Sequence, residues 1–307
     1  MTLTQADLEP ARDRLRGAVR ETPCATSFAL GRRHGGEVRL KLENVQVTGS
    51  FKARGACNAL LSLATPPPLV VAASGGNHGL GVAHAARVVG AAATIVVPES
   101  VPEEKARRLE DLGATVLRHG REYAEAEQHA RAVAAELAAP FLHPFADAAV
   151  IAGQGTIGLE IAADLGDACD AVLVAVGGGG LLAGVATALH GTGTRVIGVE
   201  PTGIPTVSAA LSAGHPVDVG MDSVTASALG ARATDPLNLE VIASRADGVV
   251  LVDDADILAA RDLLWDSCRL AVEPAAAAPL AALLTGAVDA RAPCLVLCGA
   301  NSAWAPA

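Results

Sequence analysis

The sequence predicts an α/β fold with mostly parallel sheets, and three observations carry that prediction. Short apolar strand patterns alternate with helical patterns along the chain, as parallel strands joined by right-handed crossovers require. Hydrophobic residues make up 51% of the 307 residues but aromatics only 2%, so the core must be built from Ala, Val, Leu and Ile. Small apolar residues suit close-packed helices over a buried sheet. Glycine clusters also fall between strand ends and helix starts, at Gly75–Gly76 and at Gly177–Gly180.

The elements follow in order. The opening MTLTQADLEPARDRL lacks the apolar stretch of a signal peptide and looks like a capped helix. LVVAAS (Leu69–Ser74) reads as a buried strand, followed by a glycine turn and the helical GLGVAHAARVVG. ATIVVP (Ala93–Pro98) is a second strand, and VPEEKARRLEDLG a helix with acidic residues in its first turn. ATVLRHG is a third strand, and YAEAEQHARAVAAEL a helix by alanine content and charge spacing. DAVLVAVGGGG, TRVIGVEP, VVLVD and PCLVLCGAN supply later strands, and Ala275–Ala278 a helix start behind Pro274.

Thr65–Pro68 is the best linker, because three prolines continue neither helix nor sheet. The chain returns near His143-Pro144. Residues 68–145 are then a smaller α/β domain inserted into a larger one made of 1–67 and 146–307. The alternative is one continuous sheet with a proline-rich loop.

A net charge of −10 gives no general attraction to nucleic acid or anionic lipid, so a phosphate-bearing ligand needs a local site. No uninterrupted apolar run reaches the ~18 residues of a membrane span, and the expected location is the cytoplasm. Six cysteines, none as C-x-x-C, argue against zinc and for buried thiols in a reducing compartment.

Four segments carry chemistry. Lys52 follows a Thr-Gly-Ser turn and opens a helix, with Thr48 and Ser50 as candidate N-caps. The helix dipole there lowers a lysine pKa and favours the neutral amine nucleophile, although a surface lysine is the plainer reading. In SGGNHGLG, Gly75 and Gly76 let backbone approach a ligand, and free amides at the helix start suit a carboxylate. A structural β-α turn explains that segment equally well. Gly177–Gly180 reads as a phosphate cradle rather than a plain turn. It lacks both the P-loop Lys-Ser/Thr and the dinucleotide spacing. In LVLCGAN, Cys298 stands at a strand end and can offer a neutral thiol to a ring nitrogen, or be a core cysteine.

A lysine nucleophile, an asparagine, a phosphate cradle and a neutral hydrogen-bonding group suit one ligand, pyridoxal 5'-phosphate. The chain resembles the serine/threonine dehydratase branch of the fold-type II (tryptophan synthase beta-like) pyridoxal-phosphate enzymes. TGSFKARG, SGGNHGLG, the tetraglycine loop, GVEP, EPAAAA and CGAN occur in that family's order, from about residue 10 onward. The resemblance implies two open three-layer α/β domains with the cofactor in the crevice between them, and a homodimer. It implies Lys52 as Schiff-base lysine and α-proton base, Asn77 at the ring's phenolic oxygen, and Gly177, Gly178, Gly179, Gly180 and Leu181 at the phosphate. Cys298 then meets the pyridine nitrogen, and Phe51 and Glu273 lie near the cofactor. An ordinary core role for Phe51 and a helix-capping role for Glu273 stay open. Ser74, Gly75, Gly76 and His78 fall where the family binds the substrate carboxylate.

The implied reaction is β-elimination from L-threonine or L-serine, giving a 2-oxo acid and ammonia. Three departures qualify it. Gly75 replaces the second serine of related racemases, so racemisation should be poor. No acidic residue follows Glu200 closely, so no metal is predicted. The sequence stops soon after CGAN, so no feedback domain is expected, and Ala300 replaces a frequent glycine there. A β-replacement enzyme or other lyase on the same scaffold, acting on a specialised hydroxy amino acid, is the alternative. It is disfavoured because Phe51-Lys52-Ala53-Arg54-Gly55 differs from Ser-x-Lys-Asp-Arg. A non-catalytic cofactor-binding protein is the third reading.

Overall fold

A computed structural model describes residues 3–302. Nine strands form two sheets: β1 (Cys24–Thr26), β2 (Arg39–Lys41), β3 (Leu69–Ala73), β4 (Ala92–Val97), β5 (Ala114–Arg118), β6 (Ala171–Ala175), β7 (Arg195–Pro201), β8 (Val249–Val252) and β9 (Pro293–Val296). β3, β4 and β5 make a three-stranded parallel sheet, and the other six run in the order β1-β2-β9-β6-β7-β8. Only the β1–β2 pair is antiparallel. The seven strands read from the sequence are present, whereas β1 and β2 were not anticipated. Each has three residues, too few to show a period.

From β6 the chain moves outward through β7 and β8, then returns to β9 on the other side of β6. The order therefore reverses between β6 and β9, where an α/β sheet opens a ligand crevice at its C-terminal edge. The tetraglycine segment follows β6 and Cys298 follows β9, so both lie at that edge.

The core of the six-stranded sheet is aliphatic, built from buried residues such as Val172, Leu173, Val199 and Leu295. The three-stranded sheet has a core of its own. Helix Lys52–Leu61 contributes Ala56, Cys57 and Leu60 to it, beside Val70, Ile95 and Leu109. The helix that begins with Lys52 thus packs with the smaller sheet, although it precedes Thr65–Pro68 in sequence.

Glycine seams let helices approach. Helix Ala148–Leu165 lies against helix Gly180–Leu189, where a Cβ on Gly184 would stand 2.6 Å from the Gly155 nitrogen and the Ile151 oxygen. It meets helix Lys52–Leu61 in the same way, since a Cβ on Gly153 would stand 2.6 Å from the Arg54 carbonyl oxygen. Backbone cannot yield as a side-chain tip can, so these positions exclude larger residues. This helix also has the length and apolarity of a membrane span, beyond what the uninterrupted runs suggested. Its residues are largely buried between helices, as expected of a core helix.

A buried ionic cluster fixes the start of helix Lys52–Leu61. Arg54, 1% exposed, donates to Glu43 at 2.8 and 2.7 Å and to Glu160 at 2.5 and 2.8 Å. Lys41 completes it with 2.6 Å to Glu160. Two cations face two carboxylates, so the cluster is neutral. Burial alone would raise the Glu43 pKa, but Arg54 outweighs it and holds the carboxyl low.

Candidate active site

Every residue singled out from the sequence as a cofactor or substrate contact lines one cavity of about 770 Å³, a volume typical of small-molecule sites. Lys52 is the first residue of its helix. Thr48 and Ser50 do not cap that helix. Thr48 sits in a left-handed conformation at φ 66° inside a short 3-10 turn, Ser50 is extended, and Phe51 holds the N-cap position. Both hydroxyls are buried without a partner among the described residues.

The Lys52 ammonium donates to the Pro144 carbonyl at 2.8 Å and lies 5.1 Å from the Phe51 ring centre. Phe51 therefore both lines the cavity and packs against the main core. Burial lowers the Lys52 pKa to about 8, and nearby Cys298 and Glu273 act against that shift. Desolvation, more than the helix dipole, prepares this amine. Among 307 residues only Lys41, Lys52 and Lys105 are lysines, so 13C-methyl-lysine NMR should resolve Lys52 singly. In cofactor-free protein it is expected to titrate near pH 8; a midpoint near the ordinary 10.5 would remove this account of its reactivity.

Asn77 opens helix Asn77–Val89 behind the Ser74–Gly76 turn. Its amide nitrogen donates to both Glu273 oxygens, at 2.8 and 3.1 Å, and its oxygen accepts from Asn301 at 2.8 Å. Asn301 in turn accepts from Arg108. Glu273 occupies the N-cap position of helix Pro274–Leu284, but its side chain makes no capping bond. Its carboxylate goes to Asn77 instead, so the helix-capping reading does not hold. Gly299 permits this approach, because a Cβ there would lie 2.5 Å from a Glu273 oxygen. Burial raises the Glu273 pKa.

Cys298 is 2% exposed and burial pushes its thiol pKa well up, so the group stays neutral. Its carbonyl accepts from the Phe51 amide at 3.1 Å, tying the β9 end to the lysine segment. His78 is also neutral: burial lowers its pKa to about 3, and its Nε2 is 3.0 Å from the Leu142 carbonyl. What His78 can offer a ligand is its backbone amide at the helix start. Ser74 accepts from the Gly76 amide at 3.1 Å, which leaves its own proton free to donate.

Gly177–Gly180 passes under two lids. A Cβ on Gly178 would meet the Phe145 ring at 2.5 Å, and one on Gly177 the Leu229 backbone at 3.0 Å. Gly179 takes φ +91°, and helix Gly180–Leu189 starts behind it, with Leu181 buried in its first turn. None of the four glycine amides donates to another described residue. Four orphan donors at a cavity wall and a helix N-terminus are the donor set a phosphate needs. An amine of lowered pKa and a neutral thiol share that cavity, so the residues fit pyridoxal phosphate.

Comparison with known proteins agrees with that fit. The family described as "Pyridoxal-phosphate dependent enzyme" matches residues 15–299. The chain belongs to this family. The relatives include a Thermotoga maritima protein named L-threonine ammonia-lyase, 38% identical over 304 residues, covering 97% of this chain and 76% of that one. A Geobacter sulfurreducens protein of the same name is 40% identical over 281 residues, covering 90% and 70%. Among solved structures of the family, a threonine deaminase from T.th. superposes with a TM-score of 0.94 at 38% identity, covering 99% of this chain and 100% of that one. Serine racemase from Dictyostelium discoideum gives a TM-score of 0.91 at 30% identity, covering 99% and 100%.

Several lining or supporting residues escaped the sequence reading. Pro144 and Phe145 were seen only as part of the chain's return, yet one holds Lys52 and the other covers the glycines. Asn238 and Thr234 donate to the Gly178 carbonyl at 2.8 and 3.0 Å, with no local motif to mark them. Glu200, considered as a weak metal ligand, accepts from the Val207 amide at 2.6 Å and from the Ser208 amide and hydroxyl at 3.0 and 2.7 Å. It caps helix Thr206–Ala213.

Proposed function

We propose that the protein is a pyridoxal-phosphate-dependent ammonia-lyase. It takes L-threonine or L-serine to a 2-oxo acid and ammonia by β-elimination. The observation that carries this reading is the convergence of Lys52, the Gly177–Gly180 amides, Asn77 and Cys298 on one cavity. The chain holding them is 38% and 40% identical to two proteins named L-threonine ammonia-lyase.

When bound, pyridoxal phosphate supplies an electron sink for the α-carbon. The chain supplies the rest. The Gly177–Gly180 amides would hold the phosphate, Asn77 and Cys298 would hold the ring, and the Ser74–His78 turn would receive the substrate carboxylate. Lys52, released from the Pro144 carbonyl, takes the α-proton on its Nζ, and its pKa of about 8 suits a base working near neutrality. Cys298 stays a neutral donor and adds no charge to the ring site.

Gly75 offers no acid or base on the opposite face. A Cβ there would lie 2.9 Å from Val101 Cγ2, so that side-chain tip would have to move for any serine. We infer also that residues 68–145 form an inserted unit that borrows helix Lys52–Leu61 for its core. Support comes from the separate sheets and core clusters. A cytoplasmic homodimer acting on a small amino acid, with neither nucleic acid nor membrane as partner, completes the proposal. The acidic charge and the frequency of twofold assemblies support it.

The test is 2-oxo acid formation from L-serine and L-threonine by purified holoenzyme, with D-serine measured alongside. Oxo acid without D-serine is expected. A thiol-substituted amino acid in its place would point to β-replacement, and no turnover of any hydroxy amino acid to a non-catalytic role.

A further inference from the structure

The glycine loop is held from behind. The Gly178 carbonyl accepts from Asn238 Nδ2 at 2.8 Å and from Thr234 Oγ1 at 3.0 Å. The helix that starts there does not use this oxygen, since the amide bond from Ala183 ends on the Gly179 carbonyl at 2.8 Å. Asn238 Nδ2 also donates to the Phe145 carbonyl at 3.1 Å. One amide therefore ties the loop to the residue whose ring covers Gly178. Both donors sit at the start of helix Pro236–Arg245. Asn238 is in its first turn, and Thr234 stands just ahead of Asp235, which caps the helix by accepting from the Leu237 amide at 2.9 Å.

Packing does not explain Asn238. The residue is fully buried, and its Oδ1 has no partner among the described residues. Burying an unpaired acceptor costs stability, and leucine would fill a similar volume without that cost. Only the donor end offsets it. The amide cannot be turned over either, because Oδ1 would then face two carbonyl oxygens. Thr234 is buried as well, and its hydroxyl goes to the same Gly178 oxygen.

Resting on the reading of Gly177–Gly180 as the phosphate cradle, we propose that Asn238, with Thr234, is a positioning residue that turns the Gly179 amide towards the phosphate. The Gly178–Gly179 peptide is trans, so its carbonyl and its N–H point opposite ways. Neither Asn238 nor Thr234 borders the cavity, whereas all four glycines do. Holding the carbonyl on the side of helix Pro236–Arg245 therefore aims the Gly179 N–H to the cavity side. Consecutive glycines have the most conformational freedom to lose, and fixing one peptide before the phosphate arrives lowers the ordering cost of binding. Two donors on one carbonyl also polarise that peptide and strengthen its N–H as a donor.

Pyridoxal differs from the cofactor only in lacking the phosphate. The ratio of the two dissociation constants, measured by titrating cofactor-free protein, therefore reads the phosphate site alone. Wild-type protein is expected to prefer pyridoxal phosphate. Asn238→Leu should cut that preference about tenfold and Thr234→Val about threefold, the scale of neutral hydrogen bonds, with pyridoxal affinity unchanged. Thr234→Ser keeps the hydroxyl and should keep the preference. Urea unfolding of each cofactor-free variant shows whether it is folded; should Asn238→Leu not fold, Thr234→Val against Thr234→Ser decides. A merely structural role would weaken both ligands alike and leave the ratio intact, and that result overturns the proposal. A wild-type protein without preference would remove the phosphate cradle, and the proposal with it. Preference lost in the variants, with no oxo acid formed by wild-type holoenzyme from any hydroxy amino acid, supports the positioning role and refutes the ammonia-lyase.

Discussion

Lys52→Ala is expected to lower kcat for 2-oxo acid formation by at least ~10⁴-fold, the upper range for losing a positioned general base. It should also leave no covalently held cofactor after borohydride reduction. The two readouts test separate jobs of one amine: proton transfer, and attachment. The loss of attachment should appear whatever the substrate. A Lys52→Ala protein that still yields a borohydride-fixed cofactor would mean that another amine holds it. The other lysines are well separated in role, since Lys41 is wholly buried in the ionic cluster and Lys105 stands on helix Glu103–Asp111.

Arg54→Ala is expected to destabilise the fold by about 3–5 kcal/mol, because it leaves buried carboxylates without their main counter-ion. Glu43 would lose both of its bonds to Arg54, and Glu160 would keep only Lys41 and the Thr22 amide. Urea unfolding should show a lower midpoint with an unchanged slope. Glu43 also has a depressed pKa, which fixes the sign of its acid response. A depressed carboxylate stabilises the fold above its unfolded pKa and loses that contribution as pH falls through the folded value. Arg54→Ala should therefore flatten the acid limb of the stability profile. A change under ~1 kcal/mol, the scale of an exposed ion pair, would show that the cluster does not anchor the lysine helix.

Much of this architecture is visible in the sequence because the signals are local. β6 is a continuous apolar run, and the glycines behind it have few uses other than a tight wrap. Lys52, Asn77 and Cys298 each follow a strand end or open a helix, where α/β folds place ligands. Helix Ala148–Leu165 was harder to anticipate. Its glycines at 153, 155 and 158 weaken local helix propensity, and only their contacts with Arg54, Gly184 and Ala188 explain them. Pro144, Thr234 and Asn238 act through contacts 56 to 92 residues away in sequence, which no local pattern encodes. The ionic cluster is similar: Arg54 meets Glu160 across 106 positions.

The bond from Arg108 to Asn301 joins helix Glu103–Asp111 to the segment beyond β9. A charge-assisted hydrogen bond of this kind is worth about 1.5–3 kcal/mol net of water. Asn301 passes the contact on, donating to the Asn77 side-chain oxygen and to the Thr48 carbonyl. Through that one asparagine, a charge on the surface helix Glu103–Asp111 is wired to the side chain that opens the helix behind the carboxylate turn, so the orientation of Asn77 answers to a residue well outside its own motif.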